Sequence, residues 1–144
     1  MKEITRYIEE LKDLERAFPS EPKDVVAQTA SKAELVVFAP GDVVLKEGDV
    51  ADRFYMVIKG EAEAWRGQSD GSQAVINQFG PGDYFGEIGL LNDAPRQATI
   101  RAKTSLELMA LDRETFAKLI KSSQATEDEV RRVAADRARA ATSR

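Results

Sequence analysis

Cysteine and histidine are both absent from the 144 residues of the sequence. Without cysteine there is no disulfide framework, so nothing points to an oxidising compartment, and we expect a cytoplasmic location. Without histidine, the chain lacks the commonest general base and the commonest metal ligand. The two absences remove Ser-His, Cys-His and thiolate-zinc sites, so we expect no enzyme, no catalytic residues and no bound metal ion.

Long apolar runs and an excess of basic charge are also missing. The apolar run at residues 35–39 is far shorter than the roughly 20 residues of a membrane-spanning helix, so we expect no transmembrane segment. The net charge of −4 argues against contact with nucleic acid, because proteins that bind it usually carry a basic face. With 42% apolar and 32% charged residues, the chain has the composition of one soluble globular domain.

Hydrophobic periodicity predicts helices at the N-terminus and a β-rich middle. One apolar stripe predicts a first helix that Pro19 ends, and Pro22 opens a second helix that runs to Ala30. The stripe consists of Ile4, Tyr7, Ile8, Leu11, Leu14 and Phe18. Runs rich in β-branched and aromatic residues predict strands at 35–38, 43–46, 54–59, 62–65, 74–79, 98–102 and 106–111. Short strands in this number favour a sandwich, a jelly roll or a barrel.

Helical periodicity returns after the strands. Asp112 is the predicted N-cap of a helix whose apolar face carries Phe116, Leu119 and Ile120. Thr126, with a glutamate three residues later, has capping-box spacing and predicts the start of a last helix. We therefore expect N-terminal helices over 1–33, a β core over 34–112 that includes residues 84–99, and C-terminal helices over 113–144.

Residues 84–99 depart from the strand pattern. A glycine, Gly86, precedes a short apolar helical turn, and an arginine, Arg96, follows a polar loop. Such a glycine lets a ligand approach the backbone, and the unpaired N–H groups of the first helical turn attract an anion. The guanidinium of Arg96 can bind two phosphate oxygens at once, and Glu87 can accept a hydrogen bond from a sugar hydroxyl. The segment therefore predicts a ribose-phosphate site, and the alternative is that Glu87 and Arg96 only form a surface or half-buried salt bridge.

The same segment resembles the phosphate-binding cassette of the cyclic-nucleotide-binding domain family, which occurs in kinase regulatory subunits, gated channels and catabolite-activator-type regulators. The matching residues are Phe85-Gly86-Glu87, Ile88-Gly89-Leu90-Leu91 and Pro95-Arg96-Gln97-Ala98-Thr99. The resemblance extends to Gly41, Gly48, Lys59-Gly60-Glu61 and Pro81-Gly82-Asp83. It implies a mainly β fold, an antiparallel jelly-roll-like β-barrel (a double-stranded β-helix) with flanking N- and C-terminal helices.

The resemblance also implies a ligand, cAMP as the expected one and cGMP as the alternative. Glu87 would accept from the ribose 2′-hydroxyl, Arg96 would pair with the cyclic phosphate, and backbone amides of residues 86–89 and 98 would complete the site. The ligand-binding residues implied are Phe85, Gly86, Glu87, Ile88, Gly89, Arg96, Gln97 and Ala98. Gln97 is larger than the residue common at its position in the family, which leaves the choice between adenine and guanine open.

The last helix is the second departure from the family. Members often cover the base with an aromatic residue from this helix, and residues 126–144 contain none. The candidates for that role are Val130, Arg131, Arg132 and Val133. We expect a regulatory module that transmits binding through this helix to an effector, either in a longer parent chain or in a separate protein. The alternatives are the same fold without ligand binding, acting in protein interaction or gating, and the sensor part of a transcription regulator whose DNA-binding domain lies outside this sequence.

Overall fold

The structure is a computed structural model that describes residue 12 and residues 14–142. Residues 14–17 are helical. The elements that follow are α1 (Lys23–Lys32), β1 (Glu34–Phe38), β2 (Val43–Leu45), β3 (Arg53–Lys59), β4 (Ala62–Gly67), β5 (Gln73–Phe79), β6 (Tyr84–Phe85), α2 (Glu87–Asn92), β7 (Thr99–Ala102), β8 (Leu106–Asp112), α3 (Arg113–Lys121) and α4 (Gln124–Thr142). In this part of the chain, no helix combines the length and the apolar character needed to cross a bilayer.

The strands form two four-stranded sheets in which the pairs are antiparallel. One sheet has the order β1-β8-β3-β6 and the other the order β2-β7-β4-β5. Strands β3 and β8 lie in the middle of the first sheet, and their pairing runs from Arg53 opposite Asp112 to Lys59 opposite Glu107. The prediction of a mainly β, antiparallel, jelly-roll-like fold with flanking helices is confirmed.

Strand β3 supplies two apolar layers at once. Phe54 and Met56 pack into a core shared with the helices, whereas Tyr55 and Val57 pack into a core shared by the two sheets. Side chains alternate across a strand, so a strand that is covered on both faces is apolar at nearly every position. Each large side chain buried in this way contributes about 1.5–3 kcal/mol to folding. Strand β3 is therefore held by both cores, and its position fixes the end of the loop that joins β2 to β3.

The seven predicted strands are all present, with ends within two residues of the prediction. The short strand β6 was not predicted, because two residues are too few to display an alternating pattern. It is added to the edge of the first sheet by the pairing of Phe85 with Tyr55 and of Tyr84 with Met56. Its position matters because residues 86–99 follow it directly.

The N-terminal predictions hold where the structure describes the chain. The helical segment at 14–17 ends before Phe18 and Pro19, and the side chains of Leu14 and Phe18 are buried in the helix-side core. The other residues of the predicted apolar stripe, namely Ile4, Tyr7, Ile8 and Leu11, lie outside the described residues. Helix α1 begins directly after Pro22.

The predicted start of one C-terminal helix is confirmed, and that of the other is wrong. Asp112 caps α3 as predicted, since its Oδ1 accepts the backbone N–H of Thr115 at 2.7 Å. The predicted start of the last helix at Thr126 is wrong, because α4 already begins at Gln124. The N–H of Thr126 donates to the side chain of Ser123, so Ser123 occupies the capping position that the sequence pattern assigned to Thr126. Helix α4 packs against α3 and α2, next to residues 84–99.

Candidate ligand-binding site

The turn between β6 and α2 depends on Gly86. Its φ of 93° lies in the left-handed region, which glycine adopts without steric cost. A Cβ atom here would lie 3.0 Å from the carbonyl oxygen of Arg53 and 3.0 Å from Nη1 of Arg96. The absence of a side chain at Gly86 therefore makes room for the guanidinium of Arg96 beside the start of α2.

A second glycine, Gly89, brings α2 close to the loop before β3. A Cβ atom on Gly89 would overlap the side chain of Ala51 and lie 3.0 Å from the carbonyl oxygen of Ala94. Ala51 is itself buried, and its carbonyl oxygen accepts a hydrogen bond of 2.8 Å from Arg113. The short helix and the loop are thus packed at a distance that a larger residue would increase.

Arg96 is buried despite its charge, with 5% of its surface exposed. Its Nη1 donates to the carbonyl oxygen of Gly86 at 2.9 Å, and its Nη2 donates to that of Arg53 at 2.7 Å. Oδ1 of Asp52 lies 3.7 Å from Nη2. The third nitrogen of the guanidinium, Nε, is buried and has no hydrogen-bond partner. Burial lowers the pKa of Arg96, and Tyr55 and the nearby carboxylates oppose this change. The guanidinium stays charged at neutral pH, because arginine is not deprotonated in proteins.

The backbone of Arg96 is fixed as firmly as its side chain. Its N–H donates to the carbonyl oxygen of Asp49, and its carbonyl oxygen accepts from the N–H of Gly48, each at 2.8 Å. These two bonds hold the residue against the loop before β3, and the first residue of β3, Arg53, supplies the carbonyl oxygen that accepts from the guanidinium. The position of the positive charge is therefore set by the fold.

Glu87 is the other buried charged residue of the site, with 1% of its surface exposed. Its Oε1 accepts a hydrogen bond of 2.6 Å from Nη1 of Arg137 on α4, while its Oε2 is buried without a partner. Burial raises the pKa of Glu87, and Arg137, a backbone hydrogen bond and Arg96 act in the opposite direction. The guanidinium of Arg137 also lies 5.2 Å from the ring centre of Phe79 and 5.3 Å from that of Tyr84.

These residues line one cavity of about 320 Å³, which falls in the range of small-molecule sites, roughly 300–1,000 Å³. All eight residues that the resemblance implied are among its lining: Phe85, Gly86, Glu87, Ile88, Gly89, Arg96, Gln97 and Ala98. The cavity is lined by both a buried cation, Arg96, and a buried anion, Glu87. The structure places the predicted residues together, and their part in binding a ligand stays a prediction.

Gln97 contributes a third polar atom to the same cavity. Its Oε1 is buried and has no hydrogen-bond partner. Nε of Arg96 and Oε2 of Glu87 share this property. A buried polar atom without a partner costs about 1–3 kcal/mol, and all three residues that carry such an atom line the cavity.

The sequence did not reveal the rest of the cavity. Its apolar side comes from strands β2, β4, β5 and β7, through Leu45, Ala64, Ile76, Phe79 and Ile100, with Asn77 beside them. Alternation along each strand predicts an inward face but does not tell which strands meet at a cavity. Distant pairing decides that, so no local signal was present.

The contribution of α4 also differs from the candidates chosen from the sequence. Val130 is fully buried in the helix-side core, and Arg131 and Arg132 are exposed and pair with acids of their own helix. None of the candidates Val130, Arg131, Arg132 and Val133 lines the cavity, whereas Asp136 and Arg137 do. The helix contains several arginines, and nothing in the sequence pattern distinguished Arg137 from the others.

The described residues contain no group of three or more Asp, Glu, His or Cys side chains arranged to hold a metal ion. The charged groups of the cavity instead form an alternating set: Arg96, Glu87 and Arg137, with Asp136 also in the wall. Such a set can bind a ligand that carries an anionic group next to a hydrogen-bond donor.

Comparison with known proteins gives a family and a set of relatives. The family model described as "Cyclic nucleotide-binding domain" matches residues 35–123. A cAMP-dependent protein kinase regulatory subunit from Yarrowia lipolytica is 46% identical over 84 residues, which cover 58% of this chain and 22% of that protein. The chain therefore spans about a fifth of the length of the curated relatives it matches.

Two solved structures share the fold. The regulatory domain of Toxoplasma gondii PKA, crystallised with cAMP, has a TM-score of 0.83 and 24% identity, covering 92% of this chain and 51% of that one. The regulatory subunit of a cAMP-independent protein kinase A from Trypanosoma brucei has a TM-score of 0.81 and 23% identity, covering 90% and 47%. At these identities the similarity establishes the fold alone.

Proposed function

The chain belongs to the cyclic nucleotide-binding domain family, and we propose that it is a regulatory module that binds cAMP in the cavity between α2 and the strands. In this proposal the protein senses a ligand and performs no catalysis. In this proposal residues 1–33, the β core over 34–112 and residues 113–144 act together as one such module. The lack of cysteine supports the cytoplasm as its location.

One observation carries the proposal: a cation and an anion that both line one cavity each have a buried polar atom without a hydrogen-bond partner. The donor is Nε of Arg96 and the acceptor is Oε2 of Glu87. A cyclic nucleotide offers the matching groups, since its phosphate is an anion that accepts and its ribose 2′-hydroxyl donates. Arg96 would bind the phosphate and Glu87 the hydroxyl, so the ligand removes two desolvation costs of about 1–3 kcal/mol each.

The remaining predicted residues have supporting roles in this proposal. Gly86 and Gly89 permit the close packing that places Arg96 and α2, while Ile88 and Ala98 complete the wall beside them. Phe85 is 1% exposed and its ring is stacked on that of Tyr55, so its main contribution is to pack in the core behind the cavity wall. The apolar residues of the strands would pack on the purine, and cAMP rather than cGMP is proposed because the curated relatives are named as cAMP-dependent.

We place the effector outside the described domain. The relatives are regulatory subunits of protein kinases, which supports a catalytic kinase subunit as the partner. Helix α4 would carry the signal, because it packs on α2 and its residues Asp136 and Arg137 reach the cavity. The effector is then a segment of a longer parent chain or a separate protein, and the sequence that flanks this chain in its gene distinguishes a kinase partner from a DNA-binding one.

A second candidate is a module of the same fold that does not respond to cAMP. The relative from Trypanosoma brucei, whose kinase is described as cAMP-independent, gives this candidate its support. In the present chain, Glu87 and Arg96 oppose it, because both charges are buried and both line the same cavity.

Isothermal titration calorimetry with cAMP, cGMP and 5′-AMP separates the two candidates. We expect one cAMP to bind per chain and 5′-AMP to bind at least about tenfold more weakly, because its open, dianionic phosphate does not present the same oxygens to Arg96. The absence of heat with both cyclic nucleotides at high protein concentration would contradict the proposal and support the second candidate.

A further inference from the structure

We propose that the segment of residues 14–22, which we call the strap, forms a releasable contact on the junction between α3 and α4, and that the carboxyl group of Glu21 keeps this contact releasable. The strap restrains α4 near its first residues, whereas the cavity meets the same helix at Asp136 and Arg137. Helix α4 is thereby held at two places. The inference goes beyond the proposed function, because none of its steps uses a ligand.

Glu21 is a buried acidic residue that the candidate site does not use. Only 8% of its surface is exposed. Its Oε2 accepts a hydrogen bond from Oγ of Ser122, a residue 101 positions later in the chain. Its Oε1 is also buried and has no hydrogen-bond partner among the described residues. The carboxyl group is therefore only half satisfied, and the bond that it does form joins the strap to the junction between the two C-terminal helices.

Apolar packing attaches the strap to both C-terminal helices. The helix-side core contains side chains from the strap, from α3 and from α4. They are Leu14 and Phe18 from the strap, Phe116, Leu119 and Ile120 from α3, and Val130 from α4. The backbone N–H of Glu21 donates to the carbonyl oxygen of Phe18 at 3.2 Å, so the carboxyl group directly follows this apolar anchor. Burial of the apolar side chains favours the docked strap.

The carboxyl group of Glu21 acts against this packing. A buried polar atom that lacks a partner loses the hydrogen bonds that water would provide, and water reaches both carboxyl oxygens once the strap is released. This penalty shifts the equilibrium toward release by about tenfold relative to an apolar side chain. The bond from Ser122 reduces the penalty but does not remove it, because Oε1 stays without a partner. Apolar contacts therefore hold the strap, and one acidic residue loosens it.

Ser122 places this contact at the turn that sets the start of α4. It is the C-cap of α3, and α4 begins at Gln124. Its Oγ also bonds to the carbonyl oxygen of Leu119 at 2.7 Å, and the side chain of the next residue, Ser123, accepts the N–H of Thr126. Release of the strap removes the partner that connects this turn to the N-terminal segment, so α4 loses a restraint at the point where it leaves α3.

Hydrogen exchange of the full chain without ligand tests the contact. We expect Ser122→Ala to speed exchange of the amides in residues 14–18 and 124–130 by about tenfold, because neither oxygen of Glu21 then has a partner. Ser31→Ala is the matched control, since Oγ of Ser31 also donates to a carbonyl oxygen three residues earlier, that of Gln28, at the same 2.7 Å. The control should exchange like the wild type in both segments.

Substitution of Glu21 by leucine tests the second half of the inference. Leucine is similar in size and needs no hydrogen-bond partner, so Glu21→Leu should slow exchange of the same two segments by about tenfold. In this background Ser122→Ala should have no further effect, because the contact that it removes is already absent. The wild type, the two single variants and the double variant form a double-mutant cycle that isolates the contact.

The exchange pattern of the wild type tests whether the strap is releasable. Residues 14–18 and 124–130 should open together and should be less protected than the amides of β3, because release is a local unfolding. Protection equal to that of β3 would overturn the inference.

The variants can overturn it in three further ways. These are equal exchange in Ser122→Ala and Ser31→Ala, the same effect of Ser122→Ala with and without Glu21, and faster exchange in Glu21→Leu than in the wild type. A wild type that binds neither cAMP nor cGMP would overturn only the proposed function, because the exchange results require no ligand.

Discussion

The cavity has two walls of opposite character. The cassette wall, which consists of Gly86, Glu87, Gly89 and Arg96, comes from one short stretch of chain and holds two buried charges with defined hydrogen bonds. The strand wall, which consists of Leu45, Ala64, Ile76 and Ile100, comes from four different strands and is apolar. Hydrogen bonds to charged groups are directional and strong, whereas apolar contact depends mainly on area. The cassette wall therefore selects the class of ligand, and the strand wall selects weakly among bases.

Substitution of Arg96 by alanine is expected to have the largest effect. The change removes the cation that would bind the cyclic phosphate, and charge-assisted bonds of about 1.5–3 kcal/mol each predict a loss of at least about 100-fold in cAMP affinity. Calorimetry measures the loss. Arg101→Ala is the matched control, because Arg101 is exposed on β7, lies over the ring of Trp65 and is not part of the cavity wall. Equal affinity in the two variants would show that Arg96 does not bind the phosphate.

Two glycine variants separate backbone strain from loss of the site. Gly82 and Gly86 both have φ near 90°, but a Cβ on Gly82 meets nothing within 4 Å, whereas one on Gly86 meets Arg53 and Arg96. Both alanine variants should lose about 1–3 kcal/mol of unfolding free energy through strain. Only Gly86→Ala should also weaken cAMP binding, by about tenfold or more, because Arg96 must move. Chemical unfolding and calorimetry together measure both quantities, and a similar loss of binding in Gly82→Ala would refute the account of Gly86.

The charge of Glu87 gives a pH dependence with opposite signs for binding and stability. Burial raises the pKa of Glu87 above its ordinary value of 4.5, so the folded chain holds a proton that the unfolded chain releases. Relative to Glu87→Gln, the unfolding free energy of the wild type should therefore fall as the pH rises from about 4.5 through the raised pKa. The affinity for cAMP should rise over the same window, because the ionised carboxylate is the better acceptor.

Unfolding curves and calorimetry at matched pH values measure these two trends. Glu87→Gln should bind cAMP about tenfold more weakly at neutral pH, with little dependence on pH. A wild-type stability curve that runs parallel to that of Glu87→Gln would show that Glu87 is not buried as described.

The strand wall should respond least. Ile76 lines the cavity from β5 and is half-buried, so Ile76→Ala removes part of an apolar contact worth about 0.8 kcal/mol per buried methylene. We expect a loss of about two- to fivefold in affinity, and the same loss for cAMP and cGMP, because the contact is not directional. Calorimetry with both nucleotides measures it. A loss confined to one nucleotide would show that this wall reads the base.

Sequence reasoning found the cassette wall because its determinants are local. The glycines, the acid and the arginine lie within residues 86–96, so one short segment of sequence contains all of them. The seven longer strands were also predictable, since alternation is visible over four or more residues. The strand wall and Arg137 were not, because Glu87 and Arg137 are 50 positions apart and meet only through packing of α4. The start of α4 was mispredicted because the capping side chain is Ser123, which the capping-box spacing at Thr126 did not indicate.

A crystal structure of the chain with cAMP tests the central claim most directly. The account predicts a phosphate oxygen within hydrogen-bonding distance of Nε of Arg96 and the ribose 2′-hydroxyl within the same distance of Oε2 of Glu87, the two buried atoms without hydrogen-bond partners. A nucleotide bound elsewhere, or bound in the cavity with either atom still unpartnered, would contradict it.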